Sequence, residues 1–287
     1  MKIALLLAPA VGWGLLPLSV AKVKQATVLD QLVGTALGSL IMTTLLLVLV
    51  RPNFDSFSFA WGAVAGICWM IGQVGQYTGY KTIGVAATMP YSTGLQLIGV
   101  PLFGVVLFHE WATTRAKLFG VLGILALLIG VFLNARNPGS GRKTVNKEAR
   151  RVFLLLTVTA LGYVACSLIP RGLSGDSIVI FEGESCGMLV MALLYTVVKK
   201  DLGAWTRKPA WLCTGGGAIY ALASVAYVMA VKSAGVNTAF VLSQLAVVIS
   251  TLSGFVFLHE KKTRAGYVCT AAGLICIIGG AVLTTLF

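Results

Sequence analysis

Trp69, Gln73 and Gln76 stand four and then three residues apart in an otherwise apolar stretch. Thr88, Ser92 and Gln96 follow at steps of four, with Pro90 and Thr93 between them. At about 100° per residue, positions i, i+4 and i+7 share one helix face, and a step of four drifts by only about 40°. Each set therefore forms one narrow polar stripe. A third stretch places Asn237 and Gln244 seven apart, with Ser243 adjacent. The chemistry open to these groups is hydrogen bonding without charge: carboxamides and hydroxyls donate and accept, and aromatic faces cover the apolar side of a ring. A cavity lined in this way suits a neutral, polyhydroxylated solute. Short hydroxyls also serve as glue between membrane helices. The longer Gln73, Gln76, Gln96 and Gln244, costly to place in lipid, favour a wet cavity over glue. Pro90 agrees, because the backbone carbonyl it frees is tolerable where a helix lines such a space.

Charged chemistry is sparse. Glu182 and Glu184, in "IVIFEGESCGM", are the acids inside an apolar block. Ionisable groups at membrane depth mark ion or proton pathways, and a proton-coupling role is the functional reading of this pair. They lie about 200° apart on a helix, so at most one can face the centre. The plainer reading is that they sit near a helix N-terminus, where the dipole favours acids. His109-Glu110 and His259-Glu260 look catalytic, but Thr113 and Thr263 stand where HExxH needs its second His. Both pairs sit at block ends and are read as matching helix-terminus contacts. With no GxSxG, P-loop or spaced His/Cys cluster, no catalytic residue, cofactor or metal is expected. The six cysteines form no CxxC pair and read as small buried hydrophobes.

The elements that must position these groups follow from composition. Of 287 residues, 57% are hydrophobic and 11% charged, against roughly 25% charged in soluble domains. The apolar residues fall in ten blocks: 3–21, 32–50, 58–79, 84–108, 117–134, 152–170, 178–198, 210–231, 236–258 and 266–286. A hydrocarbon core of about 30 Å needs about 20 helical residues per crossing. In lipid only helices and closed barrels satisfy their own backbone, and these blocks are continuous rather than alternating. The first block resembles a signal peptide ending at Ser19-Val20-Ala21, yet Pro9, Trp13 and Pro17 interrupt it, and it reads as a retained helix. The fold class is thus an all-α membrane protein of ten transmembrane helices, with the lipid bilayer as its surroundings.

The net charge of +13 does not imply nucleic acid, because Lys and Arg lie almost wholly between blocks. Loops on the side of the 1–2 connection hold 16 of the 22. By the positive-inside rule those loops are cytoplasmic and both termini lie outside, in a plasma membrane. The polar stretch "NARNPGSGRKTVNKEARR" at 134–151 splits five blocks from five. The two sides resemble each other: "KTIGVAAT" (81–88) matches "KSAGVNTA" (232–239), and "GVVLFHE" (104–110) matches "GFVFLHE" (254–260). A duplicated unit follows, as residues 1–134 and 152–287 joined by a basic cytoplasmic linker at 135–151. Because five is odd, the second copy enters from the opposite face, so the repeats are inverted. Inverted repeats around one central site are a recurring design of secondary transporters.

The stretches "GWG" (12–14), "CWMIGQ" (68–73), "IGVAATMPYSTGLQLIG" (83–99), "LGYV" (161–164) and "LSQLAVVISTLSGFVFLHEKKTR" (242–264) resemble the bacterial glucose/ribose uptake porters, a branch of the drug/metabolite transporter superfamily. The likeness runs over nearly the whole chain. It implies import of a monosaccharide, described for the family as proton symport, by alternating access of two inverted bundles. Carried over, Gln73, Thr88, Pro90, Ser92, Thr93, Gln96, Ser243 and Gln244 belong near the sugar, and the motif aromatics Trp13 and Tyr163 are expected with them. The chain departs from the pattern in having His109 and His259 before Glu, where relatives place Gly, and in the carboxylate of Glu184, near which relatives tend to have an uncharged polar residue. Three other readings stay open: an exporter of drugs or small metabolites, a membrane-embedded enzyme using His109 or His259, and a non-transporting interaction protein. Which sugar is carried and whether the protein oligomerises are not written in these residues.

Overall fold

The computed structural model describes residues 2–23, 25–83, 85–136, 138, 147–257 and 261–285, with 2, 21, 85–87, 90, 254 and 285 described in backbone alone. In chain order the helices are α1 (Lys2–Ala21), α2 (Val28–Val50), α3 (Ser56–Thr82), α4 (Val85–Phe108), α5 (Thr114–Ala135), α6 (Lys147–Leu168), α7 (Ser177–Val198), α8 (Lys208–Ala234), α9 (Val236–Ser243), α10 (Ala246–Phe257) and α11 (Arg264–Thr285). They make ten spans long and apolar enough to cross a membrane, and no strand occurs among the described residues. The chain is an all-α, multi-pass membrane protein. His259, Glu260, Gly84 and most of the 135–151 linker lie outside the described residues.

Local sequence explains where the helices start. Thr27 caps α2 by accepting from Asp30 N while the Asp30 carboxylate accepts from Thr27 N, a reciprocal capping box. Asp55, Thr113 and Asp176 cap α3, α5 and α7 one way, each side chain accepting backbone N–H groups of the first turn. Hydrogen bonds from Ser58 and then Phe57 hold the Asp55 carboxyl below its ordinary pKa. Buried Asp30 also receives Arg207 Nε at 2.7 Å, and Arg207 reaches Asp201 at 2.9 Å. These carboxylates, Asp201 foremost, raise the guanidinium pKa further and pin the start of α8 to the start of α2.

The block at 236–258, read as one span, is broken at Gln244 and Leu245. The reason is competition for one carbonyl. Phe240 O would accept Gln244 N–H in a continuous helix, but Ser243 Oγ donates to it at 2.6 Å and Gln244 Nε2 at 3.3 Å. Gln244 N–H turns to Val241 O instead, and the next bonds stay at i→i−3 spacing. The Ser243 and Gln244 side chains thus interrupt the helix within the ninth span.

Packing relies on backbone contact. Helix α3 lies against α7 and α6, α8 lies against α2 and α1, and α5 lies against α11. A Cβ at Gly66 would overlap the Glu184 carbonyl, and one at Gly187 would overlap that of Ala63. Gly38 and Gly217 make the same reciprocal approach between α2 and α8. Small residues at four-residue spacing let these backbones touch, as Gly62/Gly66 and Gly34/Gly38 imply in the sequence. Large apolar side chains such as Leu49, Leu161 and Ile275 point outward, as a lipid-facing surface requires.

Candidate functional site

Helices α1, α3, α4, α6, α7, α8, α9 and α10 line a cavity of about 120 Å³. That is compact beside the ~300–1,000 Å³ of sites for drug-sized ligands. The first stripe lines it in full: Trp69, Gln73 and Gln76 face it from α3. Tyr163 Oη, from α6, lies 2.5 Å from Gln73 Oε1 and 3.0 Å from Gln76 Oε1. Gln76 Nε2 donates to Ser92 Oγ at 3.1 Å, and Tyr80 donates to Gln76 Oε1. Gln76 is therefore held at both ends and fixes α3 against α4 and α6.

Gln96 and Gln244 are tied at one end only. Gln96 Nε2 donates to Ser92 O and Oγ, both at 3.2 Å, and Gln244 Nε2 donates to Phe240 O and Ser243 Oγ. Among the described residues no donor reaches either carboxamide oxygen, and both side chains line the cavity. These oxygens are free to accept from a solute hydroxyl.

An aromatic cluster shares the cavity with the amides. Trp69 and Tyr220 have ring centroids 4.5 Å apart, Trp13 and Tyr227 5.1 Å, and Trp13 stacks on Tyr220 at 6.4 Å and 19°. Trp13 Nε1 donates to Ser224 Oγ at 3.2 Å, which fixes the indole. Tyr220 turns its hydroxyl to Glu184 Oε1 at 3.0 Å, and Cys166 Sγ lies 3.6 Å from the same oxygen. Glu184 is buried, and no Lys, Arg or His lines the cavity among the described residues. Glu182 points elsewhere: its Oε1 accepts from Thr44 of α2 at 2.8 Å, away from the cavity.

Of the residues singled out by sequence, Trp13, Trp69, Gln73, Gln76, Thr93, Gln96, Tyr163, Ser243, Gln244 and Glu184 meet at this cavity. Ser92 lies just behind it, holding Gln76 and Gln96. Thr88 is buried against Gly79 on the α3–α4 side. Asn237 is buried beside Gly104, near the start of α9. Pro90 continues α4, and its side chain lies outside the described set. Sequence reasoning missed the face of α8 that carries Tyr220, Ser224 and Tyr227. The signal was present: they have the i, i+4, i+7 spacing of Trp69, Gln73 and Gln76, each 151 residues later. Two tyrosines and a serine in an apolar helix do not stand out as glutamines do.

Comparison with known proteins identifies the family. Residues 3–287 match the family described as "Sugar transport protein". A chain from Lactobacillus johnsonii named for sugar uptake is 51% identical over 100% of both chains. One from Priestia megaterium named for glucose uptake is 32% identical over 99% of this chain and 98% of its own. One from Latilactobacillus sakei named for ribose uptake is 30% identical over 95% and 94%. A solved crystal structure superposes on 99% of this chain and 96% of its own with a TM-score of 0.78 at 18% identity, a likeness of fold alone. With a family match across nearly its whole length and relatives above 30% identity that are covered end to end, this chain belongs to the sugar transport protein family.

Proposed function

We propose that the chain imports a monosaccharide, glucose or ribose, across the plasma membrane by alternating access, with Glu184 carrying a coupled proton. The observation that carries the reading is the pair of carboxamide oxygens without a donor among the described residues, those of Gln96 and Gln244, in one cavity with the Trp13–Trp69–Tyr220 cluster. Hydroxyls on a sugar edge are taken by the amides while the apolar ring face lies on the aromatics. The compact volume speaks against a bulky amphiphilic drug. Relatives named for glucose and for ribose uptake point to the same solute class.

In this reading residues 1–134 and 152–287 are inverted halves joined by the linker at 135–151, with both termini outside. Mirrored packing supports the halves: α3 sits on α6 and α7 as α8 sits on α1 and α2. So does the register, which sets Trp13 against Tyr163 and Thr93 against Gln244 around one cavity. Glu184 is the carboxyl of that cavity, and Tyr220 joins it to the aromatic cluster, so a solute resting on Trp69 touches the ring that donates to the carboxylate. Transport needs binding, release and a proton on the Glu184 carboxyl, without a bond-making step.

The test is counterflow of radiolabelled glucose and ribose in proteoliposomes, with and without an imposed proton gradient. Gln96→Ala and Gln244→Ala are expected to lower uptake at unchanged expression. Glu184→Gln is expected to keep counterflow and lose gradient-driven accumulation, while Glu182→Gln keeps both. Normal transport by both glutamine variants would refute the site.

A further inference from the structure

We propose that Glu110 is a positioning residue of the transport cycle: its carboxylate latches the N-terminus of α9 and holds one end of the cavity shut. This rests on the transport reading above. Glu110 follows α4 in a tight turn, flanked by His109 at φ 53° and Trp111 at φ 57°. Two non-glycine departures into left-handed backbone, one on either side of a single carboxylate, persist only where the surroundings over-determine them. The turn is closed by Glu110 N–H donating to Gly104 O at 3.3 Å.

The turn aims both carboxylate oxygens at α9. Oε1 accepts from Val236 N and Oε2 from Asn237 N, each at 2.8 Å. These are N–H groups at a helix start that lack intrahelical acceptors and carry the positive end of its dipole. Charge-assisted bonds of this kind are about twice as strong as neutral ones. Arg171, from the α6–α7 connection, adds its Nε at 3.4 Å from Oε1. Space for the carboxylate comes from Gly235, where a Cβ would sit 2.7 Å from Oε1 and where φ is 83°.

An ordinary cap belongs to its own helix or loop. This one comes from 126 residues away, in the first half of the chain, and ties it to the second. One turn beyond Val236, Phe240 lines the cavity, and Pro170 and Tyr227 line it from the neighbouring elements at that end. Freeing the start of α9 therefore moves a wall of the cavity. A counterweight is built in: the Asn237 carboxamide is buried, and neither its nitrogen nor its oxygen has a partner among the described residues. Burying an unsatisfied amide opposes closure, and opening wets it. The latch and the orphan amide together leave the closed end only modestly favoured, as an element that must open in every cycle requires.

Cys166 lines the cavity and serves as a native reporter. The experiment is labelling of Cys166 by a membrane-impermeant maleimide applied to each face of sealed vesicles without sugar, read by peptide mass spectrometry. Glu110→Gln is expected to raise the rate tenfold or more from the α4–α5 face and not from the other. Val236→Pro removes one N–H of the latch from the opposite partner, at a first helical position that tolerates proline. It should act in the same direction, and the double variant should add little to either. Unchanged labelling from both faces in Val236→Pro and Glu110→Gln, with only thermal stability reduced, would overturn the latch and leave a plain cap. Should Glu110→Gln not fold, Val236→Pro decides alone. Sugar uptake that survives alongside unchanged labelling sinks the latch but not the sugar site. Raised labelling in the variants, with no sugar uptake by the unmutated protein, sinks the sugar reading instead.

Discussion

Removing a single oxygen tests the binding wall. Tyr163→Phe keeps the ring that packs edge-on to Trp69 at 6.3 Å but deletes the hydroxyl beside Gln73 Oε1 and Gln76 Oε1. Gln76 retains Tyr80 and Ser92, so the loss falls mainly on Gln73. A neutral hydrogen bond contributes about 1 kcal/mol net, and the cavity can hydrate the exposed oxygen, so stability should fall by no more than about that. Binding should suffer more, because a glutamine that has lost its anchor must be ordered by the solute. The full rotamer entropy of Gln is about 1.5–2 kcal/mol, so sugar affinity is expected to weaken by about 1–2 kcal/mol, roughly 5- to 30-fold. The assay is quenching of tryptophan fluorescence on sugar titration, because Trp13 and Trp69 line the cavity whereas Trp61, Trp111, Trp205 and Trp211 do not. Affinity unchanged within about twofold, in a protein that melts as wild type, would show that the α3 stripe does not touch the solute.

Two further expectations follow from packing and from the repeat. Gly66→Ala forces α3 and α7 apart at the Glu184 carbonyl, where backbone rather than a flexible side chain must yield. Overpacking of this kind costs about 1–3 kcal/mol, so a lower melting temperature is expected, together with loss of proton-driven accumulation as Glu184 leaves Tyr220. A wild-type melting curve would show that the helices separate freely. Glu260 matches Glu110 in the sequence repeat "GFVFLHE"/"GVVLFHE". If the two halves exchange roles, Glu260→Gln raises labelling of Cys166 from the face opposite to that affected by Glu110→Gln; labelling raised from the same face would count against the exchange.

Much of this architecture was legible before any coordinates. The ten spans follow from apolar block length, since a lipid core dictates helices of a minimum length whatever they pack against. The α3 stripe was legible because a glutamine in lipid is costly enough to stand out, and helical spacing alone says that Trp69, Gln73 and Gln76 share a face. The close approaches at Gly62 and Gly66 were legible for the same local reason. What spacing cannot say is toward which neighbour a face turns. Only the packed structure distinguishes Glu184, against Tyr220 at the cavity, from Glu182, against Thr44 at α2, because two residues two apart on a helix are equivalent until their partners are in place. The tertiary structure alone brings α8 to the site with Tyr220 and Tyr227, breaks the span at Gln244 through competition for the Phe240 carbonyl, and delivers Glu110 to α9 across 126 residues. Helix periodicity is a property of the local chain. The meeting of stripes from different helices is set by backbone contacts at glycines far apart in sequence, and those contacts exist only once the whole bundle is assembled.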